Sequence, residues 1–266
     1  MTPQQYCEEK AAPRGSSLYY ALLRVGARER RALVALHAWL RELVAIGAEV
    51  SDPGVAQSKL AWWAREVERG LAGTPQHPAM QELALAVADF SLPQGPLFEV
   101  LAAVEFDLRQ NRYLDFALLR RQYEHTSGAV GELAATVLGS ADTAAARQLG
   151  LALRLVAAIR DVGRQARRGR VELPLEDLQR FEVKVADVLD GAYSERFCAL
   201  MRFEAERARA LLDGAVGALP STLRPARALA ALYRALLDEV ERAESRVLHQ
   251  RIALTPLRKL WIATRA

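Results

Sequence analysis

The chain has 266 residues, 51% of them hydrophobic, which is enough for a sizeable core and excludes a disordered chain. Thirty-six Lys and Arg against 32 Asp and Glu leave a formal charge of +4, a balance that argues against general nucleic-acid binding and points to a local anion site. Cys7 and Cys198 match no metal or redox spacing and read as reduced thiols in a reducing compartment.

The first residues, MTPQQYCEEK, hold no apolar leader core, and no later segment approaches the ~18 uninterrupted apolar residues of a membrane span. A cytoplasmic chain is therefore expected, with peripheral attachment to the inner membrane as the second option. From residue 27 to 48 apolar side chains recur at helical spacing, and the same pattern returns over 58–73, 95–114, 143–168, 193–219 and 224–252. The breaks between them, SDPG, GTPQHPA, LPQGP, GSADT, LPLED and LPSTLRP, each carry Pro, Gly or a helix-capping residue. No segment alternates as a strand. The pattern predicts an all-α bundle of about eight or more helices, forming one domain over 1–266.

Two stretches stand out. RELVAIGAEV, Arg41 to Val50, opens on Arg41 and Glu42 and closes on Glu49, yet carries Val44, Ala45 and Ala48 between them. GLALRLVAAIRDVGRQARRGRVELP, Gly150 to Pro174, is an apolar helix that turns basic, with Arg160, Arg164, Arg167, Arg168 and Arg170 around a single Asp161. Positions 154, 157, 161, 164 and 165 share one helical face, so Asp161 has Arg154 two turns before it and Arg164 one turn after. This is either a solvated basic helix end, favoured by the C-terminal dipole, or a pocket in which guanidinium forks hold phosphate or carboxylate.

With these residues in view, the chain resembles the squalene/phytoene synthase family. The resemblance runs through YCEEKAAPRGSSLYYALL, RRALVALHAWLREL, KLAWWAREVERGLAGTPQHPA, DLRQNRYLDF, IRDVGRQARRGRVELP and the closing RIALTPLRKL. It implies a single-domain isoprenoid-synthase-type helical bundle with a central cavity. It also implies head-to-head joining of two prenyl diphosphates, with Mg²⁺ held by aspartate-rich motifs on two facing helices. The first motif usually reads like RxxDDxxDE; here its slots hold Arg41, Val44, Ala45, Ala48 and Glu49, and all three aspartates are missing. The second resembles QxxNxxRDxxxDxxRGRxYLP, and here Gln becomes Arg154, Asn becomes Ala157, the second Asp becomes Gln165 and Tyr becomes Glu172, while Arg160 and Asp161 stay. A third helix, usually similar to YCxxxAGxVG, reads QYEHTSGAVG, with Tyr123 displaced by one slot or the position replaced by Gln122.

A trinuclear Mg²⁺ cluster cannot rest on Asp161 alone, so neither a bound metal nor any cofactor is expected. The expected function is that of a catalytically inactive family member, an isoprenoid-binding or lipid-binding protein or an assembly or accessory protein. A respiratory complex I assembly factor of the same family gives a precedent, so a protein partner in isoprenoid metabolism or respiratory-complex assembly is also considered. The alternative is an active prenyl transferase with an atypical site, using Mg²⁺ and NADPH. A third reading, nucleic-acid binding through the Arg-rich segment, lacks a recognition motif. Candidate anion contacts are Ser16, Ser17, Arg41, Arg154, Arg160, Asp161, Arg164, Tyr233 and Arg251. An anionic amphiphile would place its head near Arg41, Arg154 and Arg160 and its tail in a cavity lined partly by Val44, Ala45 and Ala48. His37, His77, His125 and His249 match no zinc spacing, Glu42 and Glu49 are expected in ion pairs, and the amphipathic tail around Trp261 is an interaction candidate.

Overall fold

The computed structural model describes residues 1–50, 52–110 and 112–266, without the side chains of Ala48 and Glu49. Fourteen α-helices follow one another, and no strand occurs among the described residues. They are α1 (Pro3–Ala11), α2 (Ser17–Ala21), α3 (Ala27–Glu49), α4 (Pro53–Leu71), α5 (Pro78–Phe90), α6 (Gly95–Arg109) and α7 (Phe116–Tyr123). A π-helical turn, Glu124–Gly128, joins α7 to α8 (Ala129–Val137), and α9 (Ala144–Ala166) comes next. The chain continues through α10 (Leu175–Arg180), α11 (Val185–Leu189), α12 (Glu195–Ala218), α13 (Arg224–Arg242) and α14 (Pro256–Arg265).

The starts of these helices follow from local chemistry. Thr2, Ser16, Asp52, Asp115, Ser194 and Thr255 each turn a side-chain oxygen onto a backbone N–H of the first turn, satisfying a donor the helix leaves open. Proline stands in the first two positions of α1, α4, α5, α6, α13 and α14, where its missing N–H costs nothing. Two of the long runs end well before their expected limits. Spacing predicts a helix over 224–252, but α13 stops at Arg242 because Glu244 and Ser245 turn left-handed, with φ of 52° and 56°. The predicted 95–114 helix stops at Arg109. Beyond it the Tyr113 and Leu114 carbonyls accept from the N–H groups of Leu175 and Glu176, a pairing a continued helix would prevent.

Two large apolar clusters and one smaller one make the core. The first gathers α1, α3 to α6 and α8 around Trp39, Leu36, Leu43, Met80 and Leu97; the second gathers α9, α12 and α13 around Leu151, Ile159, Phe197, Leu200 and Leu237. Truncating a fully buried aromatic such as Trp39 or Phe197 to Ala is worth about 3–5 kcal/mol. Helix α9 carries the second stretch, and glycines fix where it lies. A Cβ on Gly150 would strike the Ser127 carbonyl, and one on Gly131 the Ala146 carbonyl, so α9 runs main chain against main chain along the π turn and α8. Cys7 and Cys198 are free thiols. No described helix is long and apolar enough to cross a membrane.

Candidate functional site

Helices α3 and α9 face each other, as the two motif slots require. Val44 and Gly47 of α3 share a cavity with Arg154 and Gln165 of α9, and with Val104, Asp107, Tyr113, Gln122, Tyr123, Thr126, Arg170 and Glu172. Its volume is about 40 Å³, whereas pockets for small organic ligands run to roughly 300–1,000 Å³. The expected space for an amphiphile's tail is therefore closed at this point. Val44 is 39% exposed, Ala45 and Ala157 are half-buried, and the Ala48 side chain lies outside the described residues.

What fills the site is an internal ion pair. Arg154 donates from Nη2 to Glu172 Oε2 at 2.6 Å, and the same oxygen accepts from Tyr123 Oη at 3.0 Å. Glu172 Oε1 accepts from Gln165 Nε2 at 2.7 Å, and the Arg154 guanidinium lies over the Tyr123 ring, 4.7 Å from its centroid. Burial opposes ionisation of Glu172, but Arg154, Arg170 and the hydrogen bonds from Tyr123 and Gln165 outweigh it and hold the carboxyl below its usual range. Burial likewise pulls Arg154 down, and Glu172 and the neighbouring phenols more than offset it. Both partners are charged. A neighbouring set repeats the theme: Arg170 donates to Asp107 Oδ2 at 2.8 Å and to the Gly47 carbonyl at 3.1 Å, while Tyr113 Oη donates to the other Asp107 oxygen.

This corrects the expected pairing. Arg154 does not approach Asp161 as a partner and is not an open anion contact, because Glu172 already occupies its guanidinium. Asp161 is held by its own neighbours, Arg160 donating through Nε at 2.9 Å and Nη2 at 2.5 Å and Arg164 through Nη2 at 2.6 Å. Burial raises the Asp161 carboxyl, and these cations bring it below its ordinary value.

The remaining candidates separate into a second group. Arg41 is exposed as a residue, and its guanidinium donates to the Lys10 carbonyl at 2.5 Å. Desolvation lowers its affinity for a proton, Tyr233 raises it, and Arg160, Arg164 and Arg251 lower it further. Lys259 donates to the Gly15 carbonyl at 2.7 Å and is lowered by desolvation, then by Arg251 and Arg160. Five cations thus crowd around one carboxylate and the Tyr233 phenol, beside the start of α2. Ser16 is spent on capping that helix, its Oγ accepting from Tyr19 N at 3.1 Å, and Ser17 is half-buried in its first turn. Lys259 was not among the expected contacts. Only its place in the quoted RIALTPLRKL segment, eight residues after Arg251, could have drawn attention to it.

The donor set does not fit a magnesium cluster. A hard cation needs several free carboxylate oxygens beside substrate phosphates, but positions 44 and 45 are apolar, 165 is an amide, and the carboxylates of Asp161, Glu172 and Asp107 are engaged by guanidinium groups. Among the described residues, no three His, Cys, Asp or Glu side chains group closely enough to hold a metal. The histidines serve locally: His77 Nδ1 accepts from Ala79 N at the start of α5, and His37 Nδ1 lies 2.9 Å from the Leu33 carbonyl. Glu42 pairs with Lys10 at 2.8 Å, as expected, whereas the Glu49 side chain lies outside the described residues.

Comparison with known proteins places this geometry in a lineage. Residues 11–258 match the squalene/phytoene synthase family profile. A phytoene synthase of Arthrospira platensis is 31% identical, over 96% of this chain and 89% of that protein. A 15-cis-phytoene synthase of Synechocystis sp. is 30% identical, over 96% and 82%. Among solved structures, a dehydrosqualene synthase in complex with ligand superposes with a TM-score of 0.85 at 22% identity, covering 99% of this chain and 94% of that one. A squalene synthase from Alicyclobacillus acidocaldarius gives 0.77 at 22% identity, covering 91% and 94%. These two likenesses concern the fold.

Proposed function

The chain belongs to the squalene/phytoene synthase family, and on that premise we propose that it is a non-catalytic member, a binding or accessory protein for an anionic isoprenoid or lipid. The observation that carries this reading is the Arg154–Glu172 pair. Two positions that depart from the family pattern, one cationic and one anionic, neutralise each other at 2.6 Å in the space between α3 and α9. Ionising a prenyl diphosphate needs a strong Lewis acid at the leaving group, and guanidinium groups supply binding without the same activation.

The head of such a ligand is assigned to the basic cluster of Arg41, Arg160, Arg251 and Lys259, where the cations outnumber the single carboxylate, Asp161. Binding there depends on charge-assisted hydrogen bonds and not on a metal. The protein works in the cytoplasm or peripherally on the inner membrane, and a protein partner in isoprenoid metabolism or respiratory-complex assembly is compatible with the same scaffold role.

A second reading, prenyl coupling at an atypical site, is favoured by the phytoene synthase names of relatives about 30% identical. One experiment separates the two. Purified protein is incubated with farnesyl or geranylgeranyl diphosphate, Mg²⁺ and NADPH, and products are extracted and separated. The expected result is no presqualene diphosphate, squalene or phytoene above background, with farnesyl diphosphate binding unchanged by EDTA and weakened by Arg41→Ala. Turnover comparable to an active family enzyme overturns the proposal.

A further inference from the structure

A larger concavity lies away from the α3–α9 site. It occupies about 430 Å³, roughly tenfold the volume between Arg154 and Val44, and falls within the size range of small-ligand pockets. Its walls come from the turn between α2 and α3, the end of α8, the start of α13 and the inner side of α14. Gly26, at its edge, and Val44 are eighteen residues apart along α3, so the two sites are separated by about 27 Å at 1.5 Å per residue.

Its lining combines two chemistries. Leu23, 42% exposed, stands with Val25, Leu138 and Pro225 as apolar wall, and Ala263 completes it from α14. Arg24 and Arg224 also line it, and among the described residues neither forms a salt bridge, although most arginines of this chain do. Glu29, the lone carboxylate side chain in the lining, folds back over Gly26 at the start of α3, where the helix dipole favours it. Two cations without carboxylate partners therefore share a concave, largely apolar wall. That combination matches a molecule with an apolar body and a compact oxyanion, since guanidinium forks pair with phosphate and carboxylate in two-point contacts.

We propose that this pocket is a second binding site, for an aliphatic amphiphile whose oxyanion head sits between Arg24 and Arg224 and whose body packs on Leu23, Val25, Leu138 and Pro225. It uses none of the residues of the α3–α9 site and stands or falls separately from the function proposed for that site.

The test is isothermal titration of the full chain with dodecyl phosphate, laurate and dodecanol below their aggregation concentrations, and with inorganic phosphate. Saturable binding of dodecyl phosphate or laurate is expected, the tighter of the two naming the head group, with inorganic phosphate at least tenfold weaker. Arg24→Ala combined with Arg224→Ala, both exposed positions, weakens the anions at least tenfold and leaves dodecanol unchanged. Ala263→Phe, which fills the wall from a half-buried position, weakens all three amphiphiles. The titrations are repeated with Arg41→Ala, which weakens the basic cluster, and the anions still bind saturably. The proposal is overturned if neither anion binds saturably, if the double variant binds them as the parent does, or if inorganic phosphate binds equally well. Loss of binding in Arg41→Ala alone would assign the ligand to the basic cluster instead, which supports the function proposed there and removes this site.

Discussion

The Arg154–Glu172 pair makes a quantitative prediction through a double-mutant cycle. Glu172→Gln removes the countercharge and keeps an acceptor for Tyr123 and Gln165, leaving the Arg154 guanidinium half-buried without its anion. Arg154→Met removes the cation, keeps much of the packing on the Tyr123 ring and leaves Glu172 with only the two hydrogen bonds and the more distant Arg170. Breaking a buried pair from one side costs about 3–5 kcal/mol, whereas replacing both partners by neutral groups of similar volume is often near neutral. Each single variant should therefore lose about 3 kcal/mol or more, and the double variant much less than the sum. At roughly 2–4 °C per kcal/mol for a chain of this size, each single change lowers the midpoint of thermal unfolding by about 6–12 °C. Calorimetry with denaturant titration measures all four corners. Effects that add to within about 0.5 kcal/mol would refute the reasoning, because independent sites add and coupled neighbours do not.

Three further outcomes are expected. Glu204, buried beside Asp177 and Arg207, has its carboxyl pushed up to about 8, by burial first and then, against the opposing pull of Arg207, by Asp177. A raised carboxyl pKa contributes stability that is full below its unfolded value of about 4.5 and lost as pH rises towards 8, so the unfolding midpoint should fall across that window and Glu204→Gln should flatten the slope. Restoring Val44, Ala48 and Gln165 to Asp with Arg154→Gln and Ala157→Asn should recover Mn²⁺ binding by titration, and adding Glu172→Tyr, which removes the carboxylate freed by the loss of Arg154, should weaken it; equal affinity would show that Glu172 plays no part. Gly150→Ala should cost more than 2 kcal/mol by denaturant unfolding, since its Cβ meets the Ser127 main chain and not a flexible side chain; a neutral result would mean that α9 moves freely.

Much of the fold is legible in the sequence because it depends on periodicity and on breakers. The spacing of Leu33, Leu36, Trp39 and Leu43 describes α3, and Pro53 and Asp52 announce α4. What spacing misses is a helix whose end is decided elsewhere: Arg109 ends α6 because Tyr113 and Leu114 pair with the chain entering α10, sixty residues on. The site was half legible. Reading 154 and 172 against the family pattern exposes two departures of opposite sign, and that is the signal that they are partners. Helical neighbourhood alone points instead to Asp161, because one helix face lies within reach of linear reasoning and the segment after the helix does not. The basic cluster was legible residue by residue, but Lys259 joins it through tertiary packing, its ammonium bound to the Gly15 carbonyl from the far end of the chain.

The contact of α9 with the π turn and α8 has an evolutionary consequence. Where Gly131 and Gly150 bring carbonyl against Cα, the distance of α9 from the π turn and α8 is set by main chain. The occupants of the α3–α9 site can then be exchanged, aspartate for valine or glutamine for arginine, while this contact keeps its dimensions. A lineage can abandon one chemistry by small steps without passing through an unfolded ancestor, and the same steps are open in reverse to anyone who wants to install a new one.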